Sequence, residues 1–184
     1  MNWFLDLDGV ILDTERFISD FKKLLLELGA SKEAIDAYYC SQKTKYRSRT
    51  YYLIRHIETM RDTLGFRCIE EARCRIDGLI DGLPGYLFTD SIPFLETIQS
   101  DNVFLVTYGG RKLQELKISK TGIAKYFKEI AITDGGKKSD ALIEFRRRGL
   151  IGGFDGIFID DREKEILSIK KIFPEIIAVW LQRS

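Results

Sequence analysis

Five short apolar runs, separated by longer amphipathic stretches, dominate the pattern of the chain. Runs such as VFLV and IIAVW are apolar without a break, which is typical of strands buried on both faces of a parallel sheet. We predict strands at Trp3–Leu7, Val103–Val106, Glu129–Ile132, Gly156–Ile159 and Ile176–Trp180. The last four alternate with segments of helical pattern, at Lys112–Lys117 and onward, Ser139–Arg148 and Glu163–Phe173. This alternation predicts an α/β fold, a Rossmann-like three-layer core with a parallel five-stranded sheet.

The interval between the first two strands is too long for a single crossover connection. Its apolar positions recur with helical spacing, first at Phe17, Phe21, Leu24, Leu25 and Leu28. We therefore predict an inserted α-helical cap of about four helices over residues 15–82. Residues 1–14 and 83–184 then form the core.

Capping residues suggest where the first insert helices begin and end. Thr14 is the predicted N-cap of the first helix, Gly29 its end, and Ser31 the N-cap of the next. Asp13 either lines a functional site or caps the same first helix. The connections near 13–15 and 82–85 are the expected hinge between insert and core.

The composition restricts the chemistry available to the protein. The chain has 184 residues, with 29 basic and 28 acidic side chains and a formal net charge of +1, which argues against nucleic acid as a partner. Its single histidine, His56, excludes sites that need two imidazoles. Three cysteines form neither a disulfide framework nor, with one histidine, a persuasive zinc site. Carboxylates, lysines, hydroxyls and backbone groups must carry any reaction.

The sequence shows no signal peptide and no membrane-spanning run. The first residues, MNWFLDLD, reach two acidic side chains almost at once. No apolar run approaches the roughly 18–20 residues that a membrane helix needs. We therefore expect a cytoplasmic protein with no membrane partner.

The first candidate site follows the first strand, in the segment FLDLDGVILDTE. If the strand continues, Asp6 and Asp8 project from one face, roughly 6–7 Å apart. Two carboxylates on one face repel each other unless a cation lies between them. A site of oxygen ligands without histidine or cysteine favours Mg²⁺. Taken alone, the segment is also compatible with an aspartate-rich turn closed by Gly9.

Polar residues also follow three other predicted strands. Thr107, Tyr108 and Gly109 follow the second strand, two lysines precede the helix after the third, and Asp160 and Asp161 end the fourth. Taken singly, the glycines indicate a turn and the lysines a solvated pair. Parallel strands, however, bring their carboxyl ends to one edge, where open α/β sheets bind ligands. The four groups together predict a ligand site there.

The ordered motifs DLDGV, strand-Thr, Lys and strand-DD resemble the signature of the haloacid dehalogenase-like (HAD) hydrolase superfamily. The resemblance covers essentially the whole chain. The stretch VTYGGRKLQELKI is similar to phosphatase-type members, and the helical insert is similar to their C1 cap. The second aspartate of DLDGV, which dehalogenase members lack, points to phosphoryl chemistry.

The resemblance implies a role for each candidate residue. Asp6 would be the nucleophile that forms an aspartyl-phosphate, and Asp8 would donate a proton to the leaving oxygen and later accept one from water. Thr107 and backbone amides would hold the transferring group, and Lys138 would neutralise its developing charge. The phosphate-binding set is Gly9, Thr107, Tyr108, Gly109 and Lys138.

The resemblance also implies a Mg²⁺ cofactor. Its ligands would be the Asp6 carboxylate, the Asp8 backbone carbonyl and Asp161, with Asp160 as a further ligand or a residue behind them. A cation is needed because the attacking carboxylate and the phosphate are both anionic.

The third motif departs from the family pattern. Many members carry proline after the lysine, and here Ser139 follows. The adjacent pair leaves the register open. We choose Lys138 because it is nearer the start of the helix, with Lys137 as the alternative.

We therefore expect a Mg²⁺-dependent phosphatase acting on a small phosphorylated metabolite. A phosphomutase on a sugar phosphate and a non-catalytic binding protein are the alternatives. The basic, aromatic segment Tyr38–Arg61 either recognises an anionic or aromatic substrate or is a solvated helix face. Binding of single-stranded nucleic acid through this segment is a further hypothesis.

Overall fold

A parallel five-stranded sheet forms the centre of the protein. The computed structural model describes residues 1–40, 54, 57 and 61–183. The strands are β1 (Asn2–Leu5), β2 (Asn102–Tyr108), β3 (Glu129–Thr133), β4 (Ile157–Asp160) and β5 (Ile177–Trp180). Their order is β3-β2-β1-β4-β5, and every neighbouring pair is parallel. The predicted fold class is confirmed, and β1 lies at the centre between β2 and β4.

Helices cover both faces of the sheet. In the described parts of the chain, the helices of the insert are α1 (Thr14–Glu27), α2 (Lys32–Cys40), α3 (Arg61–Leu64) and α4 (Ile69–Asp81). The helices that follow it are α5 (Ser91–Ile98), α6 (Arg111–Thr121), α7 (Lys138–Arg147) and α8 (Glu163–Ile172). Short 3₁₀ helices occupy Leu83–Tyr86 and Ile123–Tyr126. The sequence pattern did not predict α5, because this helix is only eight residues long.

Alternating side chains of the strands supply two separate cores. Phe4 packs with Phe104 and with side chains of α7 and α8 on one face. Leu5, the next residue, packs on the opposite face with Leu105 and with side chains of α5, α6 and the insert helices. Adjacent residues of a strand point to opposite faces, so this arrangement follows from the period of two. The result is the three-layer core.

The described insert is helical, and α1 packs against α4 and α2. Asp13, not Thr14, caps α1, because the Asp13 carboxylate accepts a hydrogen bond from the backbone N–H of Arg16 at 2.9 Å. The predicted Thr14 cap is therefore wrong, and the Thr14 hydroxyl donates to Asp8 instead. The predicted cap at Ser31 is confirmed, since its hydroxyl accepts from the N–H of Ala34 at 3.1 Å.

The two connections between insert and core run side by side. Leu12 and Leu87 form an antiparallel bridge, and the Asp13 N–H donates to the Tyr86 carbonyl at 2.8 Å. The predicted division into a core of 1–14 and 83–184 and a cap of 15–82 stays a prediction. Most of Tyr38–Arg61, including His56, lies outside the described residues. In the described parts of the chain, no helix combines the length and apolar character needed to cross a membrane.

Candidate active site

A buried lysine lies between two buried carboxylates at the carboxyl edge of the sheet. Asp6 directly follows β1, Asp160 ends β4, and Lys138 is the first residue of α7. The Lys138 Nζ is 2.7 Å from an Asp6 oxygen and 2.6 Å from an Asp160 oxygen. The three residues are between 0% and 3% exposed. Lys137, the alternative for the third motif, is exposed and lies outside this cluster.

This cluster carries more negative than positive charge. Lys138 can offset only one of its two carboxylates, and Asp161 adds a third beside them. The pKa of Asp6 is raised to about 7, chiefly by burial; the neighbouring Asp160 and Asp8 also act to raise it, and Lys138 acts to lower it. Burial and the neighbouring Asp160 also raise the pKa of Asp161. A bound cation would relieve this unfavourable arrangement.

The acidic groups of the cluster fit a magnesium ion. Asp6, Asp160 and Asp161 each offer a carboxylate oxygen, and these oxygens lie within 4.8 Å of one another. Oxygen donors alone, without histidine or cysteine, are the ligands that Mg²⁺ prefers. The donor set is therefore suited to a hard divalent cation.

Asp8 has different partners from those expected. The Lys117 Nζ is 2.7 Å from one Asp8 oxygen, and the Gln114 amide donates to the other at 2.8 Å. The Thr14 hydroxyl donates to the first oxygen as well. Because β1 ends at Leu5 and the chain turns, the alternation of a strand does not continue to Asp8. Lys117, rather than a cation between Asp6 and Asp8, offsets the Asp8 charge.

These contacts control the ionisation of Asp8. Burial alone would raise the pKa of this carboxyl group. The charge of Lys117 and the hydrogen bonds from Lys117, Thr14 and Gln114 outweigh burial, so the pKa lies below its ordinary value. The Asp8 side chain is 29% exposed, so it remains accessible although three donors hold its carboxylate.

Residues at the end of β2 contact the side-chain amide of Gln114. Thr107 is fully buried, and its hydroxyl oxygen accepts from the Gln114 amide at 3.0 Å. The Tyr108 carbonyl accepts from the same nitrogen at 3.3 Å. A Cβ at Gly109 would lie only 2.9 Å from that nitrogen, so glycine makes room for it. Thr107, Tyr108 and Gly109 thus lie around the Gln114 amide nitrogen, which also donates to Asp8.

Gly9 brings the turn after β1 against Asp161. Its φ of +74° lies in the left-handed region, and a Cβ there would overlap the Asp161 carboxylate. A cavity of about 540 Å³ opens beside this contact, with Asp8, Gly9 and Asp161 in its lining. Thr107, Lys138 and Asp6 are not in that lining. Of these candidate residues, Asp8, Gly9 and Asp161 are therefore accessible from the cavity, and Asp6, Thr107 and Lys138 are buried behind it.

The chain's last described residues also line this cavity. Trp180 and Arg183 belong to its lining. The Trp180 indole donates to the Asp161 carbonyl at 2.9 Å, and Arg183 stacks on Phe88 at 4.1 Å. No sequence motif indicated this role for the tail.

Lys117 and Gln114 are the other residues that sequence reasoning missed. Their spacing of three places them on one face of α6, directly after the TYGG segment. A polar pair at this spacing, on the helix that follows a candidate site, is the signal that could have identified them.

The sequence matches no family model and no curated protein. Solved structures nevertheless share the fold. A haloacid dehalogenase-like hydrolase from Burkholderia xenovorans has a TM-score of 0.71 and 16% identity, over 100% of this chain and 82% of that one. A β-phosphoglucomutase-like protein from Thermotoga maritima has a TM-score of 0.60 and 15% identity, over 100% and 87%.

The HAD-hydrolase YfnB from Bacillus subtilis, described as bound to magnesium, is also similar. Its TM-score is 0.53 with 17% identity, over 86% of this chain and 76% of that one. The protein therefore has the fold of the haloacid dehalogenase-like hydrolases.

Proposed function

We propose that the protein is a Mg²⁺-dependent phosphatase that hydrolyses a small phosphorylated metabolite through an aspartyl-phosphate on Asp6. The observation that carries this proposal is the buried cluster of Asp6, Lys138 and Asp160 with Asp161 beside it. The excess negative charge of this cluster suits a divalent cation. The protein around it has the fold of HAD-like hydrolases.

Asp6 is suited to act as the nucleophile. One of its oxygens accepts from the Leu7 N–H at 2.8 Å, and the other is paired with Lys138. These contacts fix the carboxylate and favour its ionised form. Mg²⁺ would be held by Asp6, Asp160, Asp161 and the Asp8 carbonyl. Its positive charge would reduce the repulsion between the Asp6 carboxylate and the phosphate.

The other candidate residues would complete phosphoryl transfer. Asp8 lines the cavity in which a leaving group would lie, and it would exchange protons with that group and with water. Thr107 and the amides of Tyr108 and Gly109 would hold the phosphoryl oxygens, with Gly9 beside them. Lys138 would neutralise charge that develops in the transition state.

The insert would serve as a cap over this cavity. Glu15, the first residue of the predicted cap, lines the cavity together with core residues, among them Asp13 and Thr14. Movement about the paired connections at Leu12 and Leu87 would change access to the site. A closed cap would exclude water during the first step and leave substrate selection to insert side chains.

The decisive experiment measures turnover of 4-nitrophenyl phosphate by the full chain with and without Mg²⁺. Asp6→Asn keeps the shape of the side chain but removes its charge, so kcat/KM should fall at least about a thousandfold. Asp77→Asn, a matched change on the exposed face of α4, should leave turnover unchanged. Full activity of the Asp6 variant, or equal activity after chelation of divalent metal, would contradict the proposal.

A phosphomutase is the second candidate function. The structural similarity to the β-phosphoglucomutase-like protein favours it, and Asp6 and Asp8 would serve in both reactions. Incubation with a hexose phosphate, followed by ³¹P NMR, separates the two outcomes. Inorganic phosphate supports the phosphatase, and an isomeric sugar phosphate supports the mutase.

A further inference from the structure

We propose that Lys117 and Gln114 are positioning residues, which hold the Asp8 carboxylate toward the leaving-group oxygen of the substrate. This inference rests on the proposed phosphatase function and extends it to two side chains of α6.

Lys117 is a buried cation whose ammonium group pairs with Asp8. The residue is only 2% exposed, although an ammonium group is costly to remove from water. Its Nζ is 2.7 Å from an Asp8 oxygen. This pairing offsets the cost, so the position of the lysine and that of the carboxylate depend on each other.

Gln114 is equally buried, and its contacts connect three parts of the site. Its amide nitrogen lies 2.8 Å from Asp8, 3.0 Å from the Thr107 hydroxyl and 3.3 Å from the Tyr108 carbonyl. Its amide oxygen is buried without a hydrogen-bond partner in the described parts of the chain. An unsatisfied buried acceptor lowers stability, which argues for a role other than packing.

The donors around Asp8 fix its orientation. Lys117 and Thr14 bind one oxygen, and Gln114 binds the other, so the carboxylate cannot rotate freely. Asp8 also keeps 29% of its side chain exposed and lines the cavity, as a group that meets a ligand must.

The reaction requires this orientation twice. In the first step an Asp6 oxygen bonds to phosphorus and the bond from phosphorus to the leaving oxygen breaks. That oxygen takes a proton from Asp8, and the substrate, bound as its monoanion, has first given this proton to the Asp8 carboxylate. In the second step a water oxygen bonds to phosphorus, the bond to Asp6 breaks, and a water proton returns to Asp8. Lys117 and Gln114 keep their own protons throughout. General acid–base catalysis of this kind depends on hydrogen-bond geometry.

Two substrates of similar shape distinguish positioning from simple destabilisation. The 4-nitrophenolate group leaves readily without a proton, whereas the more basic 4-methylphenolate depends on one. The ratio kcat/KM covers the steps through the first phosphoryl transfer, when the leaving group departs. A misplaced Asp8 should therefore affect the two phosphates unequally.

We expect Lys117→Met to lower kcat/KM for 4-methylphenyl phosphate at least about tenfold more than for 4-nitrophenyl phosphate. Lys117→Arg should restore part of the difference, since it keeps a cation at this position. Gln114→Met tests the same role if the first variant fails to fold. Lys120→Met is the matched control. Lys120 lies on the same helix as Lys117, but it pairs with Asp81, away from the site.

The outcomes separate this inference from the function on which it rests. Equal losses on both substrates, in folded variants, would overturn the positioning role while the unaltered chain remains a phosphatase. Absence of turnover by the unaltered chain with Mg²⁺ would overturn the proposed function, and the positioning role with it.

Discussion

At the scale of single residues, Lys138 is a buried cation placed between two buried carboxylates. Its ammonium group satisfies Asp6 and Asp160 in a region from which water is excluded. The sequence left Lys137 and Lys138 as alternatives, because adjacent residues at a helix start cannot be distinguished by pattern. The structure separates them by burial: Lys138 is 1% exposed, and Lys137 is on the surface.

Removing the Lys138 charge should therefore be strongly destabilising. Lys138→Met leaves two buried carboxylates without their counterion, and the free energy of unfolding should fall by about 3–5 kcal/mol. Urea denaturation in metal-free buffer measures this change. Lys137→Met should alter the same quantity by less than about 0.5 kcal/mol. Similar effects of the two substitutions would refute the assignment of Lys138 to the buried cluster.

Residues without a motif were the ones that sequence reasoning missed. The candidate aspartates were predicted because two acidic pairs follow apolar strands. Lys117 and Gln114 lie within a helix whose surface also carries other polar residues, so only their three-dimensional contacts distinguish them. Thr14 shows the converse case: its sequence position suits a cap, but its hydroxyl bonds to Asp8.

At the scale of elements, the turn after β1 decides how the strand ends meet. The apolar runs predicted all five strands to within about two residues. Burial on both faces explains the continuous apolar sequence of β2, but the edge strand β5, expected to be buried as well, is largely exposed. The conformation of the turn after β1 could not be predicted from the apolar pattern. Its geometry depends on the contact between Gly9 and Asp161, which are far apart in the sequence.

Substitution of Gly9 tests the importance of this turn. Gly9→Ala adds a Cβ at a left-handed residue and against the Asp161 carboxylate, so we expect a loss of roughly 1–2 kcal/mol from backbone strain alone. Displacement of Asp161 should also weaken Mg²⁺ binding, measured by calorimetry. Gly152→Ala is the control, since nothing lies within 4 Å of a Cβ there. Unchanged stability and unchanged Mg²⁺ affinity in Gly9→Ala would show that the turn tolerates a side chain.

At the scale of the whole molecule, a net charge of +1 conceals an uneven distribution. Three carboxylates and one lysine converge at the sheet edge, so the site has a local excess of negative charge within a nearly neutral chain. The strand order brings this about by placing β1 beside β4. Composition alone could not predict it, because a total charge carries no information on position.

This local charge predicts that Mg²⁺ stabilises the folded protein and that its effect grows as pH rises. In the metal-free chain the pKa of Asp6 is raised to about 7, chiefly by burial. A raised carboxyl pKa means that the folded state retains a proton that the unfolded state has lost. Stability of the metal-free chain should therefore decrease as pH rises from about 4 to about 7.

Mg²⁺ should offset that decrease, because it competes with the proton for the Asp6 oxygens. At about a hundredfold excess over its dissociation constant, a ligand that binds only the folded state adds about 2.7 kcal/mol of stability. Thermal denaturation at about pH 6 and about pH 8, each with Mg²⁺ and with chelator, measures the effect. The increase in Tm should be larger at the higher pH and should be lost in Asp6→Asn. An equal increase at both values, or one that persists in Asp6→Asn, would mean that the cation binds elsewhere.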